Sequence, residues 1–401
     1  MKPKISLIAV LVLFAGLHQV TASSADQQLA AANNGFAFKL LKQLAKDQPV
    51  TNIFISPYSA STVLQMVGSG AAGPTKTEMQ QVLGTTGLSS DAVNAANRDI
   101  AQSLNSGNTN IILTIANAIW YRQDAPVKPE FIACNQQFYG FTVAPFNLGD
   151  PHSADVINEW ASEKTHGKIT RIAEGMMSVD TPRLFLVNAV YFKGKWAEAF
   201  DAKDTKDRPF HLRDSSQKNV PMMTQTKTFT YRRGTGYQAV RLPYQDENLA
   251  MYVFLPDTNS SPEKLLGIMT GDTWQRVTKP GFSEKEGTVM LPRFKLEYSV
   301  ELIQPLQALG MKLAFDSKHA DFSGICPEHC ISQALQKTVV EVKEEGTEAA
   351  AMTLLHLADG IDVSPPNPFQ MIVARPFLFL IEDKQTGTIL FMGVMFDPET
   401  N

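Results

Sequence analysis

The first half of the chain has a mainly helical pattern of apolar and polar residues. Apolar residues recur every three or four positions, which is the spacing that predicts amphipathic helices. The ranges that fit are 27–44, 59–68, 77–83, 89–110 and 154–165, and Thr77 is a candidate N-terminal cap. Two strands are also expected here, a short apolar one at 52–57 and an alternating, Ile- and Thr-rich one at 110–121.

The second half of the chain has mainly strand-like patterns. The continuous apolar run at 183–192 is typical of a central strand that is buried on both faces. Further strands are predicted at 229–232, 237–243, 250–256, 288–296, 337–342, 377–381 and 388–394, with the last two forming a hairpin closed by residues 384–387. One helix is expected at 300–309. Helices that come first and strands that dominate later indicate an α+β fold.

Composition and charge restrict the possible partners. The 401 residues are 44% hydrophobic and 19% charged, as in an ordinary globular protein with a large core. No linker, repeat or low-complexity tract divides the chain, so we predict a single domain over residues 23–401. The formal net charge is −4 and Arg98 is the only basic residue within 89–110. Nucleic acid, heparin-like polyanions and acidic membranes are therefore poor candidates as partners.

The N-terminus has the pattern of a signal peptide. Lys2 and Lys4 precede an apolar run at 5–16, and the small residues of Val20-Thr21-Ala22 resemble a cleavage site. A bilayer-spanning helix needs about 20 apolar residues, which is more than this run provides. We therefore predict a signal peptide at 1–22 and a secreted protein, extracellular or, in a Gram-negative host, periplasmic.

Three cysteines are too few for a disulfide-rich scaffold. Cys326 and Cys330 are four positions apart, so they are either a local disulfide or two free thiols, and Cys134 is left unpaired in both cases. A closed zinc site usually needs four ligands from two paired clusters, and the sequence has no second cluster. No metal and no other cofactor is expected.

The segment after the strand at 337–342 has an unusual composition for a loop. As a strand it would place Thr347, Ala349 and Ala351 on one small, uncharged face, with Gly346 as a pivot. The connection regains strand character only near Met371, and a loop of this length usually has a function. From composition alone, a surface helix is the alternative, because Glu, Ala, Met and Leu favour helices.

Several motifs in this chain resemble those of one family. The string Glu344-Glu345-Gly346-Thr347-Glu348-Ala349-Ala350-Ala351 resembles the reactive-loop hinge of inhibitory serpins. Segments similar to other serpin motifs occur along the chain in the same order as in the family, at 52–59, 187–196, 309–311, 320–325, 375–379 and 387–393. The resemblance implies three β-sheets, about nine helices and an exposed reactive-centre loop at about 344–370.

The resemblance also implies a function. Serpins are protease inhibitors and not enzymes, and each is a suicide substrate whose cleaved loop inserts into a β-sheet as a new strand. The partner would be a target protease, with a serine protease expected first, and the inhibitor would be a monomer. The alternative within the family is a non-inhibitory serpin that serves as a carrier, a chaperone or a storage protein.

Family roles are carried over to matching residues. Ser56, Ser59 and Asn188 would form the shutter beneath the opening sheet, together with Gln336, which occupies a position where the family usually has histidine. The breach, where insertion begins, would contain Trp196, Arg293 and Glu344, with the last two able to form an ion pair.

The target protease is set by the residues around the scissile bond. Counting from Gly346 by the common family spacing places Gly360 before this bond and Ile361 after it. No Lys or Arg occurs between Thr347 and Ala374, which argues against trypsin-like targets. Leu357 or Ala358 would suit an elastase-, subtilisin- or chymotrypsin-like enzyme, whereas Asp359 followed by Gly360 would suit an Asp-specific cysteine protease.

Overall fold

The first half of the chain folds mainly into helices, as its apolar spacing predicts. The structure, a computed structural model, describes residues 24–104, 111–147, 150, 152–173, 184–245, 248–278, 281–326, 330–345 and 368–399. Nine α-helices lie within these ranges: α1 (Ser24–Asp47), α2 (Pro57–Ser69), α3 (Gly73–Leu83), α4 (Ser90–Leu104), α5 (Pro129–Phe138), α6 (Ser153–Lys164), α7 (Pro262–Ile268), α8 (Gly271–Thr278) and α9 (Ile303–Ala308). Short 3-10 helices occur at Ala202–Asp204 and Leu313–Phe315.

Strands account for most of the second half. They are β1 (Ile53–Ile55), β2 (Ile111–Arg122), β3 (Thr142–Phe146), β4 (Leu184–Gly194), β5 (Lys206–His211), β6 (Gln217–Gly234), β7 (Tyr237–Pro243), β8 (Leu249–Pro256), β9 (Ser283–Pro292), β10 (Phe294–Glu301), β11 (Ile331–Val342), β12 (Phe369–Ile372), β13 (Phe377–Asp383) and β14 (Thr388–Met395).

These strands form two hydrogen-bonded sheets. The smaller has the order β10-β11-β4-β2-β3, and the larger has the order β1-β14-β13-β8-β7-β6-β9-β12 with β5 also paired to β6. The long strand β6 joins two groups in the larger sheet, because residues 222–231 pair with β9 and residues 230–234 pair with β7. The three predicted sheets thus correspond to the five-stranded sheet and to the two groups that share β6.

The start of α3 differs from the prediction. Thr77 is not an N-terminal cap, because α3 already begins at Gly73 and Thr77 Oγ1 donates to the Gly73 carbonyl at 3.2 Å. Proline occupies the first turn of this helix, where its missing N–H and fixed φ cost nothing. No side chain caps α3. The preceding helix α2 does have a side-chain cap, Ser56, which directly precedes Pro57.

The strand predicted at 288–296 is wrong as a single element. The chain leaves β9 at Pro292 and enters β10 at Phe294, and these two strands belong to different sheets. The helix predicted at 300–309 is also too long at its start, because β10 continues to Glu301. Burial alternates along the whole of β10, as is typical of a strand with one covered face, so residues 300 and 301 belong to this strand and not to the helix.

The core has two parts that lie on opposite faces of the five-stranded sheet. The larger part fills the space between the two sheets and the helices, where Phe54 stacks on Phe379 and Phe391 with ring centroids 5.7 Å and 5.2 Å apart. The smaller part lies under α6, where Trp160 packs edge-on against Trp120. Both faces of the central strand β4 are therefore buried, as its continuous apolar run predicts.

No helix in the described part of the chain is long and apolar enough to cross a membrane. The predicted signal peptide, residues 1–22, lies outside the described residues.

A buried carboxyl lies on β13 of the larger sheet. Glu382 Oε1 accepts a hydrogen bond from Trp274 Nε1 of α8 at 3.1 Å, and Trp274 is fully buried. Burial raises the pKa of Glu382 to about 7, and hydrogen bonds from Trp274 and Tyr252 with the charge of Arg241 offset only part of this effect. The neighbouring Asp383 raises this pKa further.

We expect the stability of the protein to depend on pH through Glu382. Its folded-state pKa lies above that of an unfolded carboxyl, so the folded state binds the proton more tightly. The resulting stabilisation is present at low pH and is lost as the pH rises through about 7. Between about pH 5 and about pH 8, the melting temperature should therefore fall less in Glu382→Gln than in the wild type. The exposed Glu297→Gln is the control, and identical pH profiles for Glu382→Gln and the wild type would contradict this assignment.

Candidate functional site

The seam between β4 and β11 is the feature that distinguishes the five-stranded sheet. The two strands are parallel, with pairs that run from Ile331 and Leu184 to Val340 and Phe192. Their outer neighbours β10 and β2 pair with them in antiparallel fashion. A segment that followed β11 and folded back between β11 and β4 would be antiparallel to both. It would replace one parallel ladder by two antiparallel ladders, which are slightly more stable per residue.

The middle of the seam contacts the N-terminus of α2. The side chain of Gln336 on β11 accepts from Ser56 N and donates to Ser56 O, both at 3.0 Å. Ser56 Oγ donates to the Leu390 carbonyl at 2.9 Å and accepts from Ser59 N at 3.3 Å. Gln336 is only 1% exposed, so these bonds replace water completely. The amide of Gln336 therefore fastens β11 to the start of α2.

The other side of the seam is fastened by two asparagines. Asn188 of β4 donates from Nδ2 to Asn117 Oδ1 of β2 at 2.5 Å, and the same oxygen accepts from Ser59 Oγ at 2.7 Å. Gln336, Asn188 and Asn117 are register partners on three neighbouring strands. The predicted shutter residues Ser56, Ser59, Asn188 and Gln336 are thus brought together in one buried network.

Asn117 is the member of this network that sequence reasoning missed. It lies in a strand of Ile, Thr and Ala, where a buried asparagine is unfavourable unless its amide is hydrogen-bonded. That mismatch between side chain and surroundings was the available signal.

The end of the seam at which the chain leaves β11, called the upper end below, is built around Trp196. Its ring stacks on Tyr244 with centroids 4.6 Å apart, and its Nε1 donates to the Lys343 carbonyl at 2.8 Å. Gly194 is required here, because a Cβ atom at this position would lie 2.6 Å from Tyr244 Cδ1. The indole therefore holds the backbone just after β11, at the point where a new strand would enter.

The predicted ion pair of the breach is present. Arg293 Nη1 lies 3.5 Å from Glu344 Oε1, with side chains that are 40% and 11% exposed. A pair this open to solvent contributes little by itself, about 1 kcal/mol or less. Arg293 is the residue between β9 and β10, so the pair joins the end of β11 to the point where the chain passes between sheets.

A second group of charges lies beside the first. Glu341 on β11 contacts Lys193 of β4 at 3.5 Å and also forms an ion pair with Lys343. Burial by itself would raise the pKa of Glu341, but hydrogen bonds and charge from Lys343 and Lys193 outweigh it and lower the pKa below its ordinary value. Glu341 is therefore ionised over the neutral pH range.

Comparison with known proteins identifies the family. Residues 31–398 match the model described as Serpin (serine protease inhibitor). The chain belongs to the serpin family. A leukocyte elastase inhibitor of Bos taurus is 37% identical over 93% of this chain and 100% of that protein. An uncharacterized serpin-like protein of Thermococcus kodakarensis is 35% identical over 95% of this chain and 88% of its own.

A solved structure has the same architecture as this serpin. The crystal structure of uncleaved ovalbumin superposes with a TM-score of 0.84 at 29% identity, covering 92% of this chain and 100% of the other. The resemblance drawn from the sequence motifs is thereby confirmed, and with it the mixed α+β serpin fold.

The loop of this serpin lies mostly outside the described residues. That part includes the hinge residues Gly346, Thr347, Glu348, Ala349, Ala350 and Ala351, and the reactive-site candidates Leu357, Ala358, Asp359, Gly360 and Ile361. Of the hinge, Glu344 is buried and Glu345 is exposed. The two ends of the connection are attached to different sheets, because β11 belongs to the five-stranded sheet and β12 pairs with β9 in the larger one.

Cys326 and Cys330 are not joined by a disulfide bond in this structure, and Cys134 forms none either. The two belong to different local structures. The amide of Cys326 closes a turn by donating to the Phe322 carbonyl, whereas Cys330 is buried where β11 begins, with Sγ 4.0 Å from Ser332 Oγ. Formation of the disulfide in an oxidising compartment stays a prediction.

We expect Gln336→Ala to lower the free energy of unfolding of this serpin by about 2 kcal/mol. The Ser56 N–H would lose its partner while buried, although the Ser56 carbonyl would keep its bond from Ala60 N. Gln333→Ala is the matched control on the same strand, because the buried Gln333 Oε1 has no hydrogen-bond partner among the described residues. Chemical denaturation measures both variants, and equal losses would show that the amide of Gln336 has no special role.

Proposed function

We propose that this serpin is a secreted suicide-substrate inhibitor of a serine protease. The protein would be a single domain of residues 23–401 with a reactive-centre loop at about 344–370. After cleavage by the target, residues on the hinge side would enter the seam between β4 and β11 as a new strand. The observation that carries the proposal is the parallel seam, because β11 leads directly into the hinge and only an antiparallel insertion follows from its direction.

The energetics of insertion support the proposal. Each new ladder hydrogen bond contributes about 0.5–1.5 kcal/mol net, so a strand of several residues with two new neighbours gains several kcal/mol. The face formed by Thr347, Ala349 and Ala351 is small and uncharged, which suits a new strand that would have to fit between two packed strands. The inhibitor is metastable in this scheme, since its intact form is held by the rate of opening.

The target we propose is an elastase-, subtilisin- or chymotrypsin-like serine protease. Relatives named leukocyte elastase inhibitor support this class, as do Leu357 and Ala358 near the nominal scissile bond at Gly360. Secretion rests on the signal-peptide pattern of residues 1–22. The protein would act as a monomer and without a heparin-type cofactor.

The direct test mixes the mature protein with elastase, subtilisin, chymotrypsin and trypsin. We expect a complex with one of the first three enzymes that survives denaturing electrophoresis, and no complex with trypsin. Mass spectrometry of the released C-terminal peptide identifies the scissile bond from its first residue. A complex with an Asp-specific cysteine protease instead would move the target to that class. Clean cleavage by all enzymes, with no gain in heat resistance of the cleaved form, would support a non-inhibitory serpin.

A substitution in the hinge separates inhibition from cleavage. We expect Thr347→Arg to convert the inhibitor into a substrate, because insertion would bury an unpaired charge at a cost of several kcal/mol. Glu348→Arg is the matched control, since position 348 lies on the opposite face of the inserted strand and already carries a charge. The measurement is the ratio of trapped to cleaved inhibitor. Full trapping by Thr347→Arg would refute insertion of this segment.

A further inference from the structure

We propose that Glu341 is a positioning residue that ties the top of β11 to the top of β4 and thereby slows the opening of the seam. This inference rests on the proposed insertion mechanism. It assigns a function to Lys193, Glu341 and Lys343, which we call the ionic clasp, and it makes the rate of insertion dependent on ionic strength.

The position of the ionic clasp follows from the strand register. Val340 and Phe192 are the last paired residues of the seam, and Glu341 and Lys193 come next on their respective strands. The contact between Lys193 Nζ and Glu341 Oε2 is 3.5 Å long and crosses the seam. The ion pair of Arg293 with Glu344 does not cross it, because Arg293 precedes β10 on the other side of β11.

The third member of the clasp is held in place by the backbone. Lys343 forms an ion pair with Glu341 from the same end of β11, and its carbonyl is anchored by Trp196 Nε1 at 2.8 Å. Glu341 is 17% exposed and Lys193 is 35% exposed, so water screens the contact only in part. One carboxylate is therefore shared by two ammonium groups at the entrance to the seam.

Insertion must break this contact. Adding a strand between β4 and β11 moves them apart by about 4.8 Å, the spacing of neighbouring strands. With the side chains in their present positions, that displacement carries Lys193 Nζ and Glu341 Oε2 well beyond the 3.5 Å of the contact. The seam must open before any new ladder hydrogen bond forms. The free energy lost with this contact therefore raises the activation barrier to insertion, and does not only destabilise the final state.

The charges predict an order among variants. Lys193→Met removes the attraction across the seam and leaves Glu341 paired with Lys343. Glu341→Gln also removes the attraction, and it leaves Lys193 and Lys343 facing each other as like charges. We therefore expect the seam to open faster in Glu341→Gln than in Lys193→Met, and faster in both than in the wild type.

The experiment measures opening without a protease. A fluorescein-labelled synthetic peptide with the sequence of residues 347–358 is incubated with the intact protein, and its incorporation is followed on native gels at 25 °C. We expect incorporation to be about two- to fivefold faster in Lys193→Met and faster again in Glu341→Gln. Raising the salt from about 0.02 M to about 0.5 M should accelerate the wild type and should leave Lys193→Met nearly unchanged.

Asp124→Asn is the matched control. Asp124 pairs with Arg122 at the end of β2, in the same sheet, at 2.7 Å but not across the seam. The peptide should be incorporated into Asp124→Asn at the same rate as into the wild type. Equal rates in the wild type, Lys193→Met and Glu341→Gln, or an equal acceleration in Asp124→Asn, would overturn the clasp while leaving the proposed function intact. No incorporation by any variant, together with no trapping of any protease, would instead refute the insertion mechanism and the clasp with it.

Discussion

The parallel ladder between β4 and β11 is the constraint on which the rest of this structure depends. It joins two strands in the interior of the five-stranded sheet, with β10 on one side and β2 and β3 on the other. The ladder ends at Val340, and β11 continues to Val342 and then directly into the hinge. The buried network around Gln336, the indole of Trp196 and the charges around Glu341 all border this ladder, so the proposed insertion would act on each of them.

Two kinds of interaction hold the ladder, and they differ in how they respond to the surroundings. In the middle of the ladder, uncharged and buried side chains contact each other, with Gln336 on Ser56 and Asn188 on Asn117. At the upper end, partly exposed charges meet around Glu341. Salt has little effect on the buried amide network, whereas it screens the attraction between the charges at the upper end. The seam is therefore stabilised by buried amides in its middle and by a solvent-accessible ionic contact at its upper end.

The serpin fold also indicates how cleavage within the loop would act. The described chain ends β11 in one sheet and resumes as β12 in the other, so the intact connection is tethered at both sheets. A break within the connection would release its β11 side alone. The small residues that follow Gly346 suit such a released segment, because they add a strand to a packed sheet without adding bulk.

The sequence by itself determined the local elements whose hydrophobic pattern is unambiguous. The continuous apolar run of β4 follows from burial on both faces, and the motifs identified the family. Only the tertiary structure decided that Pro292 and Phe294 belong to strands of different sheets, since periodicity carries no information about partners. It also decided that Asn117 joins Ser59 to Asn188 and that Glu341 meets Lys193, because these contacts link positions far apart in the chain that only packing brings together.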